Sequence, residues 1–119
     1  MPYLYYFMKT DVWLRAIDYN TEIYGFCKQL KCSEGFSIKD QLRRASLSVP
    51  KNIAEGLGRE SLKEQLQFLG IAYASLMEFI SLLVTIEKIG LAEKHVIDKL
   101  LNNSEKVAQL INGYRRYLI

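Results

Sequence analysis

Residues 41–61 read QLRRASLSVPKNIAEGLGRES and carry the clearest structural pattern of the chain. Apolar side chains recur there at helical spacing, at Leu42, Ala45, Val49, Ile53 and Leu57. This spacing predicts an amphipathic helix. Pro50 lies in the middle of the pattern, where it removes a backbone donor and its ring crowds the carbonyl group of Ser46. We therefore expect a helix that is kinked within one turn N-terminal to Pro50.

Two polar residues, Asn52 and Glu55, follow Pro50 on one face of the predicted helix. They either line a pocket or the pore of an assembly, or they satisfy backbone groups that Pro50 and the helix end leave free. The sequence favours the structural role and leaves the other open. Gly56 and Gly58 weaken helix propensity by about 1 kcal/mol each, so we expect them to end this helix.

Capping residues and glycines divide the chain into four helices. Their predicted bounds are about 11–30, 37–57, 62–89 and 92–118. The predicted caps are Thr10 or Asp11, Ser37, and a capping box of Ser61 with Glu64, and Gly90 supplies a stop. The apolar line of the first helix is predicted to be Trp13, Ile17, Ile23 or Tyr24, Cys27 and Leu30. Short connections predict an all-α, antiparallel up-down-up-down four-helix bundle in residues 11–119, preceded by an aromatic lead-in of residues 1–10.

Composition excludes several classes of function. The chain has 119 residues, of which 50% are hydrophobic, enough for one core. Its net charge of +3 is well below that of a dedicated nucleic-acid binder. Cys27, Cys32 and the single histidine, His95, do not complete a metal site, so we expect two free thiols, a surface histidine, and no metal or cofactor. Neither a nucleophile–base pair nor a phosphate loop is recognisable, which predicts a protein that is not an enzyme.

The sequence also predicts a cytoplasmic protein without a membrane partner. Residues 1–8 are apolar but lack a basic segment and a cleavage site. The longest uncharged run of the helical body, residues 65–77, has 13 residues. A helix that spans a bilayer needs about 20.

The third helix carries apolar residues on two faces. One face is predicted to fill the core of the chain, with Leu66, Leu69, Tyr73, Leu76, Ile80 and Leu83. The remaining residues are Phe68, Ile71, Phe79 and Leu82. A large apolar surface is rare on a soluble monomer, so we expect these four, together with N-terminal aromatics such as Tyr3 and Tyr6, to contact another subunit. The chain is therefore predicted to form an oligomer of more than one copy.

Basic residues suggest a second kind of contact. The candidates for a phosphate-binding surface are Arg43, Arg44, Lys51, Arg59, Arg115 and Arg116. The alternative is that Arg43 pairs with a carboxylate such as Glu78 or Glu55 and that the other cations are only solvated. The eight tyrosines alternate with apolar residues, so we assign them to the core or an interface rather than to base stacking.

Residues 41–90 resemble the bacterial 23S rRNA-intervening sequence proteins. The resemblance is carried by QLRRA at 41–45, SVPKNIAEG at 48–56, Gly58-Arg59, the Ser61–Glu64 box, Phe68-Leu69, Ala72, Ser75-Leu76, Glu78 and Gly90-Leu91. Val12-Trp13 and Glu22-Ile23-Tyr24 also fit the first helix of that family. The resemblance implies a homopentamer around a central channel. It also implies kinship with the accessory variability proteins of diversity-generating retroelements, which bind a reverse transcriptase and nucleic acid through basic surfaces.

These observations favour a non-enzymatic, oligomeric four-helix-bundle scaffold. Its partners would be RNA, DNA or a nucleic-acid-processing protein such as a reverse transcriptase. The alternative hypothesis is a protein–protein interaction module without a nucleic-acid role. The family that the chain resembles has no settled biochemical activity, so the resemblance does not choose between these hypotheses.

Overall fold

The structure is a computed structural model that describes residues 5–30 and 36–119, with side chains for 5–30 and 38–119. A 3-10 turn, Tyr6–Lys9, precedes four α-helices. These are α1, Asp11–Gln29; α2, Phe36–Leu57; α3, Leu62–Lys88; and α4, Lys94–Leu118. The described residues contain no strand, so the all-α fold and the four helices are confirmed. Tyr3, Cys32 and the side chain of Ser37 lie outside the described residues.

Local signals place the helix ends close to their predicted positions. Thr10, rather than Asp11, caps α1, because its Oγ1 accepts a hydrogen bond from the Trp13 N–H at 3.4 Å. The Ser61 Oγ accepts one from the Glu64 N–H at 3.0 Å and begins α3. Gly90 ends that helix with a φ of +84°, a left-handed conformation that favours glycine.

Each helix packs against two others: α1 and α3 both contact α2 and α4. Hydrogen bonds link neighbouring helices at 2.8 Å between Ser46 of α2 and Asn20 of α1, and at 2.8 Å between the hydroxyls of Ser48 and Ser75. Between α1 and α4, the Tyr19 hydroxyl donates to the Leu100 carbonyl oxygen at 2.6 Å. The core lies between these four helices.

The buried face of α3 differs from the predicted one. It consists of Leu69, Ala72, Leu76, Phe79, Leu83 and Ile86. Phe79 is fully buried and its ring meets the edge of the Tyr19 ring at a centroid distance of 5.5 Å. The assignment of Phe79 to an oligomer interface is therefore wrong. In α1, Ile23 faces the core and Tyr24 faces solvent, which resolves the choice that the sequence left open.

Pro50 lies inside α2, which continues on both sides of it, and its side chain is buried. The hydroxyls of Ser46 and Ser48, which flank it on the N-terminal side, bond to Asn20 and Ser75. The structure does not test the kink, which stays a prediction.

The N-terminal turn is held against the bundle. It contacts α1 and α2, and the Phe7 ring meets the edge of the Trp13 ring at a centroid distance of 5.1 Å. The Tyr6 hydroxyl lies 3.1 Å from the Tyr114 hydroxyl near the end of α4. Residues 6–9 are thus packed onto three helices.

One helix of the described chain, α3, is long and apolar enough to cross a membrane by length and composition. Its most apolar window is 33% buried inside the fold. The core helix of a soluble bundle meets the same criteria, so this finding is weak evidence for a membrane.

Candidate functional site

Arg43 and Arg44 lie on α2 and line one groove together. The Arg43 guanidinium carbon lies 5.5 Å from the centroid of the Tyr24 ring, and Arg43 forms no ion pair with Glu78 or Glu55. Arg44 pairs with Asp40 at 3.3 Å, with 81% of the Arg44 side chain exposed. Such an exposed pair contributes at most about 1 kcal/mol, so Arg44 can exchange Asp40 for another anion.

The groove around Arg43 and Arg44 has a volume of about 270 Å³. Its lining residues are Asn20, Tyr24, Asp40, Arg43, Arg44 and Leu47. Lys28 stands beside it, with its Nζ 6.0 Å from the Tyr24 ring centroid. We refer to this feature as the Tyr24 groove. This groove was not predicted from the sequence, although the spacing of Tyr24 and Lys28 by four residues places them on one helix face.

The other predicted cations lie elsewhere. Lys51 is exposed on α2. Arg59 contacts Glu55 at 3.1 Å, Glu64 at 3.6 Å and the face of the Phe68 ring at 4.8 Å. Its charge is therefore largely balanced within the chain. The predicted alternative of internal ion pairs describes Arg59 better than it describes Arg43.

Arg115 and Arg116 lie in the last turn of α4, where a cation is favourable beside the carbonyl end of the helix. Arg115 is half-buried and Arg116 is exposed. Arg116 lies close to Gly113, because a β-carbon placed on residue 113 would stand 3.9 Å from the Arg116 Nη2. Gly113 lines a groove of about 400 Å³, together with Tyr6, Lys9, Tyr117 and other residues. The six predicted cations thus divide between several surfaces of the described chain.

Asn52 and Glu55 make contacts within the chain. The Asn52 Nδ2 donates to the Ser48 carbonyl oxygen at 2.8 Å and to the Ser48 hydroxyl at 2.9 Å. Ser48 in turn bonds to Ser75 of α3 at 2.8 Å. These contacts favour the structural role for Asn52, and Glu55 pairs with Arg59. A role in the pore of an assembly stays a prediction.

The outward side of α3 presents an apolar surface, which we call the outer stripe. It consists of Ile71, Ala74, Met77 and Val84, all exposed. Phe68 and Leu82, which were predicted for an interface, are half-buried beside it. Glu78 is the single charged residue between positions 65 and 86. An apolar row of this length on an exposed helix face is typical of a protein–protein contact.

Cys27 and His95 are the two residues with reactive side chains that the sequence singled out and the structure describes. Burial raises the pKa of the Cys27 thiol, and the Arg43 and Lys39 charges only partly oppose this. Cys27 is therefore a protonated packing residue at neutral pH, in agreement with the predicted free thiol. His95 is exposed, as predicted, with its Nδ1 3.2 Å from Glu93. The described residues hold no group of three or more side chains that could bind a metal ion.

Tyrosines are also found outside the core. Tyr5, Tyr6, Tyr24 and Tyr117 are each more than half exposed. The described surface thus presents cations, phenol rings and apolar side chains to solvent.

Comparison with known proteins agrees with this fold. The sequence model of the family described as 23S rRNA-intervening sequence protein matches residues 8–113. A crystal structure from Bacteroides thetaiotaomicron, described as a protein with unknown function from the S23 ribosomal protein family, superimposes with a TM-score of 0.82. The two chains share 19% identity, and the match covers 88% of this chain and 95% of the other. No curated protein matches the sequence.

Proposed function

The chain belongs to the 23S rRNA-intervening sequence protein family, and from this premise we propose that it is a non-enzymatic, oligomeric scaffold that binds RNA or DNA. The observation that carries the proposal is the outer stripe of α3. A single chain leaves Ile71, Met77 and Val84 in solvent, although apolar area removed from water contributes about 25 cal/mol per Å². Contact with further copies would bury this surface.

The proposed assembly is a homopentameric ring of up-down-up-down bundles with α2 kinked at Pro50. The number five comes from the family resemblance. Contacts support the antiparallel order. Asn20 of α1 contacts Ser46 of α2, and Tyr24, further along α1, contacts Arg43, which comes earlier in α2. Likewise, Ser48 of α2 contacts Ser75 of α3, and Gly56, further along α2, lies beside Phe68, which comes earlier in α3. Neighbouring helices therefore run in opposite directions.

Assembly would strengthen a modest basic surface. The net charge of one chain is +3, but a ring repeats every exposed cation once in each subunit. Arg43, Lys51 and Arg116 keep their charges at the surface of the described chain, without a carboxylate at ion-pair distance. Repeated phosphate contacts add to the affinity for a polyanion and make it depend on salt.

A second candidate function is a protein–protein interaction module without nucleic-acid binding. Internal ion pairs favour it, because Asp40 balances Arg44 and Glu55 balances Arg59. In either case we propose that the protein works in the cytoplasm. The protein partner implied by the resemblance is a nucleic-acid-processing enzyme such as a reverse transcriptase.

Fluorescence anisotropy with labelled structured RNA and single-stranded DNA, over a range of salt concentrations, tests the proposal. The double variant Lys51→Ala/Arg116→Ala should weaken binding alike for all sequences. It should also flatten the salt slope by about 0.7 for each lost contact to a single strand. Lys63→Ala/Lys106→Ala removes the same charge from two other exposed positions and is the matched control. If the protein binds neither nucleic acid at low salt, the interaction-module hypothesis replaces this one.

A further inference from the structure

We propose that the Tyr24 groove binds an unpaired nucleobase, which stacks on the surface formed by Tyr24 and Arg43 while the adjoining phosphates bind Arg44 and Lys28. The inference rests on the proposed function and narrows it to single-stranded RNA or DNA. Four features of the groove support it: an exposed aromatic ring, a surplus of cations, an oriented amide donor and a limited size.

The first feature is the aromatic ring of Tyr24. This residue is 52% exposed, whereas the neighbouring Ile23 is buried. Arg43 and Lys28 lie near this ring, at 5.5 and 6.0 Å from its centroid. Cations within about 6 Å of a ring attract it electrostatically, so the two side chains limit its movement. Proteins that bind single strands stack bases on aromatic rings and on arginine guanidinium planes, and this groove offers both.

The second feature is the sign of the charge. Arg43 and Arg44 line the groove, Lys28 borders it, and Asp40 is the one carboxylate among those lining residues that the structure describes. Asp40 pairs with Arg44 in an exposed contact of 3.3 Å. A phosphate can replace that carboxylate, because arginine binds both groups through the same planar donors. The charge of the groove therefore complements a phosphodiester chain.

The third feature is the side-chain amide of Asn20, which lines the groove. Its Oδ1 accepts a hydrogen bond of 2.8 Å from the buried hydroxyl of Ser46. This bond fixes the orientation of the amide and leaves both Nδ2 hydrogens as donors. Every base carries acceptor atoms on its edges, so an oriented amide can bind a base that has left its pair.

The fourth feature is the size of the groove. A volume of about 270 Å³ accommodates one planar base and excludes a double helix. Bases within a duplex stack on each other and cannot offer a face to Tyr24. The groove therefore selects a single strand through its stacking surface, whereas its cations attract any polyanion.

Three fluorescein-labelled ligands separate stacking from charge: oligothymidylate, a blunt-ended DNA duplex, and heparin, a polyanion without bases. Anisotropy is measured with the chain of 119 residues. Tyr24→Leu should weaken oligothymidylate binding about tenfold and leave duplex and heparin binding unchanged. Tyr24→Phe keeps the ring and should bind like the unmodified protein. Arg43→Ala should weaken binding of all three ligands. Tyr117→Leu, which replaces an exposed tyrosine of a different groove, is the matched control.

Any other result contradicts the inference, and the pattern of binding shows whether the proposed function is also affected. If Tyr24→Leu binds oligothymidylate as well as the unmodified protein does, the stacking site is wrong and the proposed function stands. The same holds if Tyr24→Leu weakens heparin binding as much as oligothymidylate binding. If the unmodified protein binds none of the three ligands, the site is wrong, and the anisotropy titration with structured RNA then decides the proposed function. Circular dichroism and light scattering of each variant verify that fold and assembly are unchanged.

Discussion

Gly56 of α2 lies so close to Phe68 of α3 that a β-carbon at residue 56 would stand 2.8 Å from the Phe68 β-carbon. The same β-carbon would stand 3.2 Å from the Gln65 carbonyl oxygen. That oxygen belongs to the backbone of α3, which cannot move without shifting the helix. Gly56 was predicted to end the helix, and α2 does end one residue later. A stronger reason for glycine at residue 56 is the short distance between α2 and α3, which leaves no room for a β-carbon.

Gly56→Ala is expected to lower the free energy of unfolding by about 1–3 kcal/mol, because overpacking outweighs the gain in helix propensity. Urea denaturation measures the change. Gly25→Ala is the matched control, since a β-carbon at residue 25 of α1 would meet nothing within 4 Å. This control should raise the free energy of unfolding by up to about 1 kcal/mol. Equal shifts in the two variants would contradict the close approach of α2 and α3.

Asn52→Ala is expected to lower the free energy of unfolding by about 1–2 kcal/mol, because it removes the hydrogen bonds of 2.8 and 2.9 Å to Ser48. Glu55→Ala removes only an exposed ion pair with Arg59 and should change the same quantity by less than about 1 kcal/mol. Chemical denaturation compares the two. A neutral Asn52→Ala variant that loses assembly or ligand binding would instead place Asn52 in the pocket or pore.

The sequence predicts those features that depend on residues close to one another along the chain. The hydroxyl of Ser61 and the left-handed glycine Gly90 act within one helical turn, so their roles could be predicted from the sequence. The rotation of α3 could not. Both faces of this helix are apolar, and the hydrophobic effect has no direction, so the pattern alone does not choose which face turns inward. Phe79 was placed outside for that reason, and Met77 and Val84 were overlooked.

The candidate site shows the same limit. Arg43 and Arg44 were identified from their charge, which is visible in any sequence. The position of the Arg43 guanidinium over Tyr24 depends on the packing of α1 against α2. The same is true of the bond between Ser46 and Asn20, which are 26 positions apart. Spacing along one helix contains no information about such contacts.

The fold is expected to lose stability at alkaline pH through Tyr19. Burial raises the pKa of this phenol above its ordinary value of 10.0, and its hydroxyl donates to the Leu100 carbonyl oxygen. Since the folded pKa lies above the unfolded one, the contribution is complete below pH 10 and is lost as the pH rises beyond it. Urea midpoints measured between neutral pH and pH 11 report the loss.

Tyr19→Phe provides the control for the alkaline effect. It removes the hydrogen bond to Leu100 and should cost about 1 kcal/mol at neutral pH. Above pH 10 its stability should fall less steeply than that of the unmodified protein, because the buried ionisable group is gone. Parallel curves for the two proteins would show that other groups cause the alkaline loss.

The outer stripe is expected to hold the proposed assembly together. Ile71→Lys/Val84→Lys places two charges on an apolar contact and should shift the mass measured by sedimentation toward one copy of 13.8 kDa. The unmodified chain should sediment as five copies. Ile119→Lys, at an exposed position at the end of the chain, is the control and should leave the mass unchanged. A monomeric unmodified chain at micromolar concentration would contradict the assembly.

The contact between Tyr6 and Tyr114 has a consequence for the slow opening of the fold. The last turns of a helix ordinarily exchange their amide hydrogens early, because few contacts protect them. Here the end of α4 is joined to the turn at residues 6–9, and that turn packs onto α1 through Phe7 and Trp13. We therefore expect the turn at residues 6–9 and the end of α4 to open as one cooperative unit, so that their amide hydrogens exchange together rather than one segment after the other.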